Sequence, residues 1–171
     1  MPKYKIAVGF VTGQRQLHEI VSVSLLQMMS GRDWSDYEFT VLNHSSIYVD
    51  VNRNNIIHQF RKTDADFLFY WDYDNGLFPE AFDLYMEDME NPDVNILSGL
   101  YYRKGNAMRT VCGIAFGDMD AYTLDSYMFV SGGLLDLTTY AGATKGMVGA
   151  GCLMIRREVF ETLPYPWFKT E

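Results

Sequence analysis

The segment from Phe67 to Trp71, five apolar and mostly aromatic residues followed at once by Asp72-Tyr73-Asp74-Asn75-Gly76, restricts this chain more than any other. Such a run reads as a central strand covered on both faces, and that cover has to come from packed helices. Asn75-Gly76 supplies the turn that must follow. The expected fold is therefore α/β, with two carboxylates at a strand's carboxyl end, where open α/β sheets gather their ligands. Residues two apart on extended chain project to the same side, so Asp72 and Asp74 are spaced to share one divalent cation.

The bare spacing carries little, since Asp64 and Asp66 repeat it ahead of the strand and Asp118 and Asp120 repeat it in a Gly-containing stretch. Only the middle pair follows a buried strand. Its competing reading is a solvated turn in which Asp72 or Asp74 caps the helix that Pro79 opens.

Hydrophobic residues make up 48% of the 171 residues and aromatics 15%, too many for a disordered chain and enough to bury a core. A single soluble domain over residues 1–171 is expected, with no apolar stretch long enough to span a bilayer. The amino end runs from Met1-Pro2-Lys3 straight into a strand-like segment without a secretory pattern. Cys112 and Cys152 sit among apolar residues without metal-ligand spacing, which reads as buried free thiols in a reducing compartment. Cytoplasm is the expected location, the host's if the chain is phage-encoded. The net charge of −8 argues against a broad nucleic-acid surface, which needs a basic face. An acidic protein that takes an anionic ligand has to bring positive charge locally, from a few Arg and Lys residues or from a metal.

Along the chain, residues 5–11 read as strand, 12–14 as loop, and Leu17, Ile20, Val21, Leu25 and Met28 recur at helical spacing up to Gly31. Residues 37–42 read as a second strand, and Asp50 as the N-cap of a helix buried through Ile56, Ile57 and Phe60. After the aspartate-bearing strand, Pro79 suits a first helical position, with Phe82, Tyr85, Met86 and Met89 following, and Asn91-Pro92 stops that helix. Residues 94–100 complete a β-α-β-α-β-α-β order, which implies a mostly parallel central sheet flanked by helices. Beyond Tyr101 the pattern is less regular: residues 110–116 and 134–140 suit short strands, 149–155 a strand entered through glycines, and 156–163 a short helix.

Four segments together resemble nucleotide-sugar glycosyltransferases of the GT-A fold, family 2-like, especially small members from bacteriophages and bacteria. They are the opening through Thr12-Gly13, the helix start Asn52-Arg53-Asn54, the strand end at residues 71–74, and residues 149–157 with Pro166-Trp167-Phe168 behind them. The resemblance implies a Rossmann-like nucleotide-diphospho-sugar transferase fold, with a nucleotide-binding half over 1–100 and an acceptor-side half, short at its carboxyl end, over 101–171. It implies transfer of a sugar, a hexose in the usual case, from a nucleoside-diphosphate donor, with a UDP-sugar foremost, to an acceptor hydroxyl.

In that family the DxD pair, here Asp72 and Asp74, holds Mn²⁺ or Mg²⁺ against the donor diphosphate. Thr12 and Tyr73 fall at the nucleotide-sugar site. Arg53 matches the arginine that approaches the nucleotide, or else lies on a solvated helix face. Gly149 and Gly151 let the backbone pass close to sugar or acceptor, or mark a bulge. Trp167 stacks on a sugar ring, or packs. The family's acidic pair and late metal-binding His beyond Pro-Trp-Phe have no counterpart before Glu171, and His18, His44 and His58 come too early. The catalytic base is therefore unassigned.

Two rival readings remain at this point: a non-catalytic nucleotide-sugar-binding or structural protein that keeps the same core, and a phosphohydrolase of the haloacid dehalogenase type. The second fits poorly, because its Asp motif follows the first strand and is not continued by Asn-Gly.

Overall fold

The computed structural model describes residues 2–13, 16–99, 112–116, 127–129 and 143–169. In chain order it contains β1 (Tyr4–Thr12), α1 (Glu19–Met29), β2 (Tyr37–Ser45), α2 (Val49–Phe60), β3 (Phe67–Asp72), α3 (Pro79–Glu90), β4 (Ile96–Ser98), β5 (Cys112–Phe116), β6 (Tyr127–Phe129), β7 (Ala143–Val148), β8 (Cys152–Arg156) and α4 (Arg157–Thr162). These elements fall into two compact units, Met1–Leu97 with Ala150–Glu171, and Ser98–Gly149. The first unit is interrupted after Leu97, and the chain from Ala150 onward belongs to it again.

The five-stranded sheet runs in the order β2-β1-β3-β8-β4. Side-chain parity explains how the helices cover it. Ile6, Val8, Phe10, Phe67, Phe69, Trp71, Cys152 and Met154 face one core, closed by Val21 and Met28 of α1 and by Phe82, Tyr85, Met86 and Met89 of α3. Alternate residues Ala7, Val11, Leu68, Tyr70, Leu153 and Ile155 face the other, closed by Ile56, Ile57 and Phe60 of α2 and Phe160 of α4. The layers are helix, sheet, helix, as the continuous apolar run of β3 requires.

One expectation needs correction: the sheet is mixed and not mostly parallel. β2 and β3 both run parallel to β1. β8, however, is antiparallel to β3, with Phe67 opposite Arg156 and Trp71 opposite Cys152. A parallel neighbour has to arrive through a crossover, the role α1 and α2 fill between the first three strands. β8 arrives instead from the second unit, so nothing forces it to be parallel, and it separates β3 from β4.

Two helix starts also differ from expectation. Asp50 lies in the first turn of α2, whose N-cap is Tyr48. The Tyr48 N–H is held by Ser46 Oγ at 3.2 Å, which brings the chain into helical geometry two residues early. α1 begins at Glu19, after Leu17, and Ile20 is 47% exposed. Its inward face is Val21, Ser24 and Met28, because Ser24 is engaged with the turn after β3. Gly31 adopts φ 73° just beyond the Ser30 C-cap, the left-handed position that glycine occupies without strain. α3 carries Pro79 at its start and buries the four residues expected.

The second unit is a three-stranded sheet, β6-β5-β7, antiparallel throughout, with an irregularity at Ala115/Phe116. The strand expected over residues 134–140 lies outside the described residues. Among the described residues no helix is long and apolar enough to cross a membrane.

Candidate functional site

β3 ends at Asp72 because the next residues turn. The Asn75 N–H donates to the Asp72 carbonyl at 3.2 Å, and the Trp71 indole N–H donates to the Asn75 carbonyl at 2.6 Å. The pleat therefore does not align Asp72 with Asp74; the turn presents them. α1 then fixes that turn from outside. The His18 N–H donates to the Tyr73 carbonyl at 2.8 Å, and the Leu77 N–H donates to Ser24 Oγ at 3.0 Å. Gly76 lies so close to α1 that a Cβ there would stand 2.8 Å from Ile20 Cγ1.

Parity places Asp72 on the same face as Leu68 and Tyr70, under α2. Arg53 reaches down from that helix and sets one nitrogen, Nη2, 3.1 Å from each Asp72 carboxylate oxygen and 3.3 Å from the Ala150 carbonyl. The pair is mostly buried, with side-chain exposures of 13% for Arg53 and 24% for Asp72. The Tyr70 hydroxyl pins the Arg53 carbonyl at 2.7 Å, and the Phe168 ring lies 5.4 Å from the guanidinium. On the other flank, the Asp72 N–H donates to the Gly151 carbonyl at 2.8 Å.

Burial pushes the Asp72 carboxyl up from its ordinary 3.8, the Arg53 guanidinium pulls it back, and the charge of Asp74 adds to the rise. The same two carboxylates help burial push the neighbouring Cys152 thiol up to about 12. The charge of Asp74 is thus felt at both Asp72 and Cys152. Two carboxylates are hard oxygen donors suited to Mg²⁺ or Mn²⁺, and Mg²⁺ is ordinarily held by one or two carboxylates with water and ligand phosphate completing the shell. Among the described residues no group of three or more His, Cys, Asp or Glu side chains gathers into a larger metal site. The donor set fits a cation shared between protein and ligand.

A cleft of about 640 Å³ opens at the carboxyl ends of β1 and β2, lined in part by Thr12, Leu17, Asn43, His44 and Ser45. Val11 pairs with Asp72 across the sheet, and Leu17 precedes the His18 that holds Tyr73, so cleft and carboxylates share the carboxyl-end edge of the sheet, with neither Asp72 nor Asp74 lining the cleft. Thr12 is buried, its hydroxyl 3.5 Å from the His44 carbonyl. Tyr73 is 40% exposed beside the carboxylates.

Of the other expected residues, Gly151 is brought to the site through its carbonyl. Gly149 belongs to the second unit, where its carbonyl accepts from the Ser98 hydroxyl at 2.6 Å. Trp167 packs edge-on to His58 and Phe160 and donates to the Leu163 carbonyl at 3.0 Å. The aromatic ring that reaches Arg53 is instead Phe168.

Asn52 and Asn54 are supports the motif contained but whose roles it did not reveal. Asn52, fully buried, donates to the Ser46 carbonyl at 2.9 Å and contacts His44 Nδ1 at 3.0 Å. Asn54 Oδ1 accepts from the Trp167 and Phe168 N–H groups, and its Nδ2 donates to the Phe168 carbonyl. Arg156 and Arg157 also have structural clients: Arg156 donates to the Val94 and Asn91 carbonyls beyond α3, and Arg157 to the Ala65 and Thr63 carbonyls beyond α2.

No protein-family model matches the chain, and no curated protein does. Among solved structures, the crystal structure of A197 from STIV is similar over 98% of this chain and 72% of that one, at 19% identity and a TM-score of 0.51. At that identity the likeness concerns the α/β fold.

Proposed function

We propose that the chain is a metal-dependent glycosyltransferase of the GT-A type, taking a nucleoside-diphosphate sugar, a UDP-sugar foremost, and passing the sugar to an acceptor hydroxyl in the cytoplasm. The observation that carries this reading is the cluster of Asp72, Asp74 and Arg53 at the carboxyl end of β3, on the same edge of the sheet as an open cleft with mixed polar and apolar walls. Asp72 and Asp74 would hold the cation and, through it, the donor diphosphate. When bound, Mn²⁺ or Mg²⁺ supplies electrostatic stabilisation of the negative charge that develops on the departing diphosphate. Arg53 offers a planar guanidinium to the same anionic group. In this reading the cleft at Thr12 and His44 would take the nucleoside.

Thermal unfolding against a panel of nucleotide sugars, with and without Mn²⁺, tests this. A donor at about a hundred times its dissociation constant adds about 2.7 kcal/mol, or roughly 5–10 °C in a domain of this size. A Mn²⁺-dependent rise with one donor, absent in Asp74→Ala, supports the site, and product formation with that donor then separates an enzyme from a binding protein. No rise with any donor refutes the reading.

A further inference from the structure

Arg53 meets Asp72 in an incomplete way. An arginine satisfied by a carboxylate usually presents two nitrogens to two oxygens. Here one nitrogen, Nη2, makes all three contacts, to both Asp72 oxygens and to the Ala150 carbonyl. Nε is buried with no hydrogen-bond partner among the described residues. The backbone beneath is fixed by Tyr70, and the Phe168 ring gives the guanidinium a surface over which to move. The residue is anchored at its base and under-used at its head.

From this geometry we infer that Arg53 is a resident counter-ion, displaced from Asp72 when a divalent cation binds and then free to turn its unused nitrogens to the phosphates of the ligand. The inference deepens the proposed function and rests on its assignment of Asp72 and Asp74 as cation ligands. With Arg53 in place, the charge of Asp72 is already answered by the guanidinium. A divalent cation alone competes for Asp72 and ejects the guanidinium without offering it a partner. A diphosphate alone finds the guanidinium already committed to Asp72. Each ligand therefore binds poorly without the other, and Arg53 converts two weak events into one coupled event, a linkage that by reciprocity works equally in both directions.

The test uses the full chain, Mn²⁺ or Mg²⁺, and UDP as the probes. Mn²⁺ binding is followed by electron paramagnetic resonance in the wild type, Arg53→Gln and Asp74→Ala, and UDP binding by equilibrium dialysis with and without Mg²⁺. Wild-type protein is expected to bind UDP roughly 5- to 150-fold more tightly with Mg²⁺ than without it, the range of ordinary coupling. Arg53→Gln is expected to bind Mn²⁺ alone more tightly than wild type and to lose most of the coupling.

A second measurement reads the wild type directly: the ¹⁵Nε–H resonance of Arg53, identified by its loss in Arg53→Lys, should shift with Mg²⁺ and UDP together at concentrations where neither alone moves it. An unmoved Arg53 resonance in the doubly bound protein overturns the displacement, as does unchanged or weaker Mn²⁺ binding by Arg53→Gln. Either result, with Asp74→Ala still abolishing Mn²⁺ binding, leaves the cation site standing. Absence of Mn²⁺ binding in every form, with UDP or without it, refutes the cation site itself.

Discussion

Replacing Asn54 with alanine should detach the segment around Trp167 and Phe168 from α2. The carboxamide of Asn54 is nearly buried and serves three backbone groups there, with distances of 3.0 Å to the Trp167 nitrogen, 3.2 Å to the Phe168 nitrogen and 2.6 Å to the Phe168 oxygen. A fourth bond, 2.8 Å to the Asp50 carbonyl, ties the same amide to its own helix. Each intramolecular hydrogen bond contributes about 1 kcal/mol net, and a group left buried without a partner costs about 1–3 kcal/mol. Trp167 and Phe168 are half-buried, so water recovers part of the loss, and about 2–4 kcal/mol of docking free energy should disappear.

At roughly 1.4 kcal/mol per tenfold, the Trp167 and Phe168 amides should exchange with solvent about 30- to 1,000-fold faster. Because the segment can detach while the sheet stays folded, the fall in Tm should not exceed about 15 °C. Asn54→Asp keeps an acceptor for the two N–H groups but sets its second oxygen against the Phe168 carbonyl, so it should fail as well. Unchanged exchange at both amides in Asn54→Ala would refute the clamp.

Gly9→Ala should cost about 1–3 kcal/mol in urea unfolding, since its Cβ would stand 2.7 Å from Cγ2 of the fully buried Ile56. Gly76→Ala should cost less despite a similar 2.8 Å approach, because half-exposed Ile20 can swing aside; equal losses would contradict this account. In a Cys112→Ser background, Cys152 should react with iodoacetamide at pH 8.5 about a thousandfold more slowly than an ordinary thiol, because a pKa near 12 leaves it almost wholly protonated. The rate should rise with pH until that value is passed, and ordinary reactivity at pH 8.5 would refute the burial argument. Arg157→Ala should lose about 2–4 kcal/mol in the same urea assay, since its guanidinium serves the Ala65 and Thr63 carbonyls and lies 4.4 Å from the Phe60 ring. Arg157→Lys should recover little of that loss, because an ammonium cannot reproduce the planar fork.

What was legible in the sequence was local. The apolar continuity of residues 67–71 specified a strand covered on both faces, and the two cores on either side of β3 supply that cover. The helical spacing of Phe82, Tyr85, Met86 and Met89 marked the buried face of α3. What stayed hidden depended on partners distant in sequence. Ser24 reads as a polar interruption of an apolar stripe, and only Leu77, 53 residues away, gives it a reason to point inward. The direction of β8 is set by where the chain returns from the second unit, which the residues of β8 do not encode. Trp167 looked suited to stack on a sugar because aromatic rings beside prolines serve either binding or packing; the contacts to His58 and Phe160 define its packing environment.

The three consecutive residues Asn52, Arg53 and Asn54 show how one helix divides support from ligand contact. At 3.6 residues per turn, neighbouring side chains leave a helix about 100° apart, so the three must meet different surroundings. Asn52 turns toward the loop after β2 and holds Ser46 and His44 at the wall of the cleft, while Asn54 turns toward the carboxyl-terminal segment and holds Trp167 and Phe168. Both asparagines spend their amides on protein groups and so fix the helix against cleft and segment alike. Arg53, between them, bonds to protein through Nη2 and keeps a buried Nε with no partner among the described residues. Substituting either asparagine should therefore change the position of the site, whereas substituting Arg53 should change its charge while its position holds. Of the three, the arginine is the residue whose bonding is left for a ligand to complete.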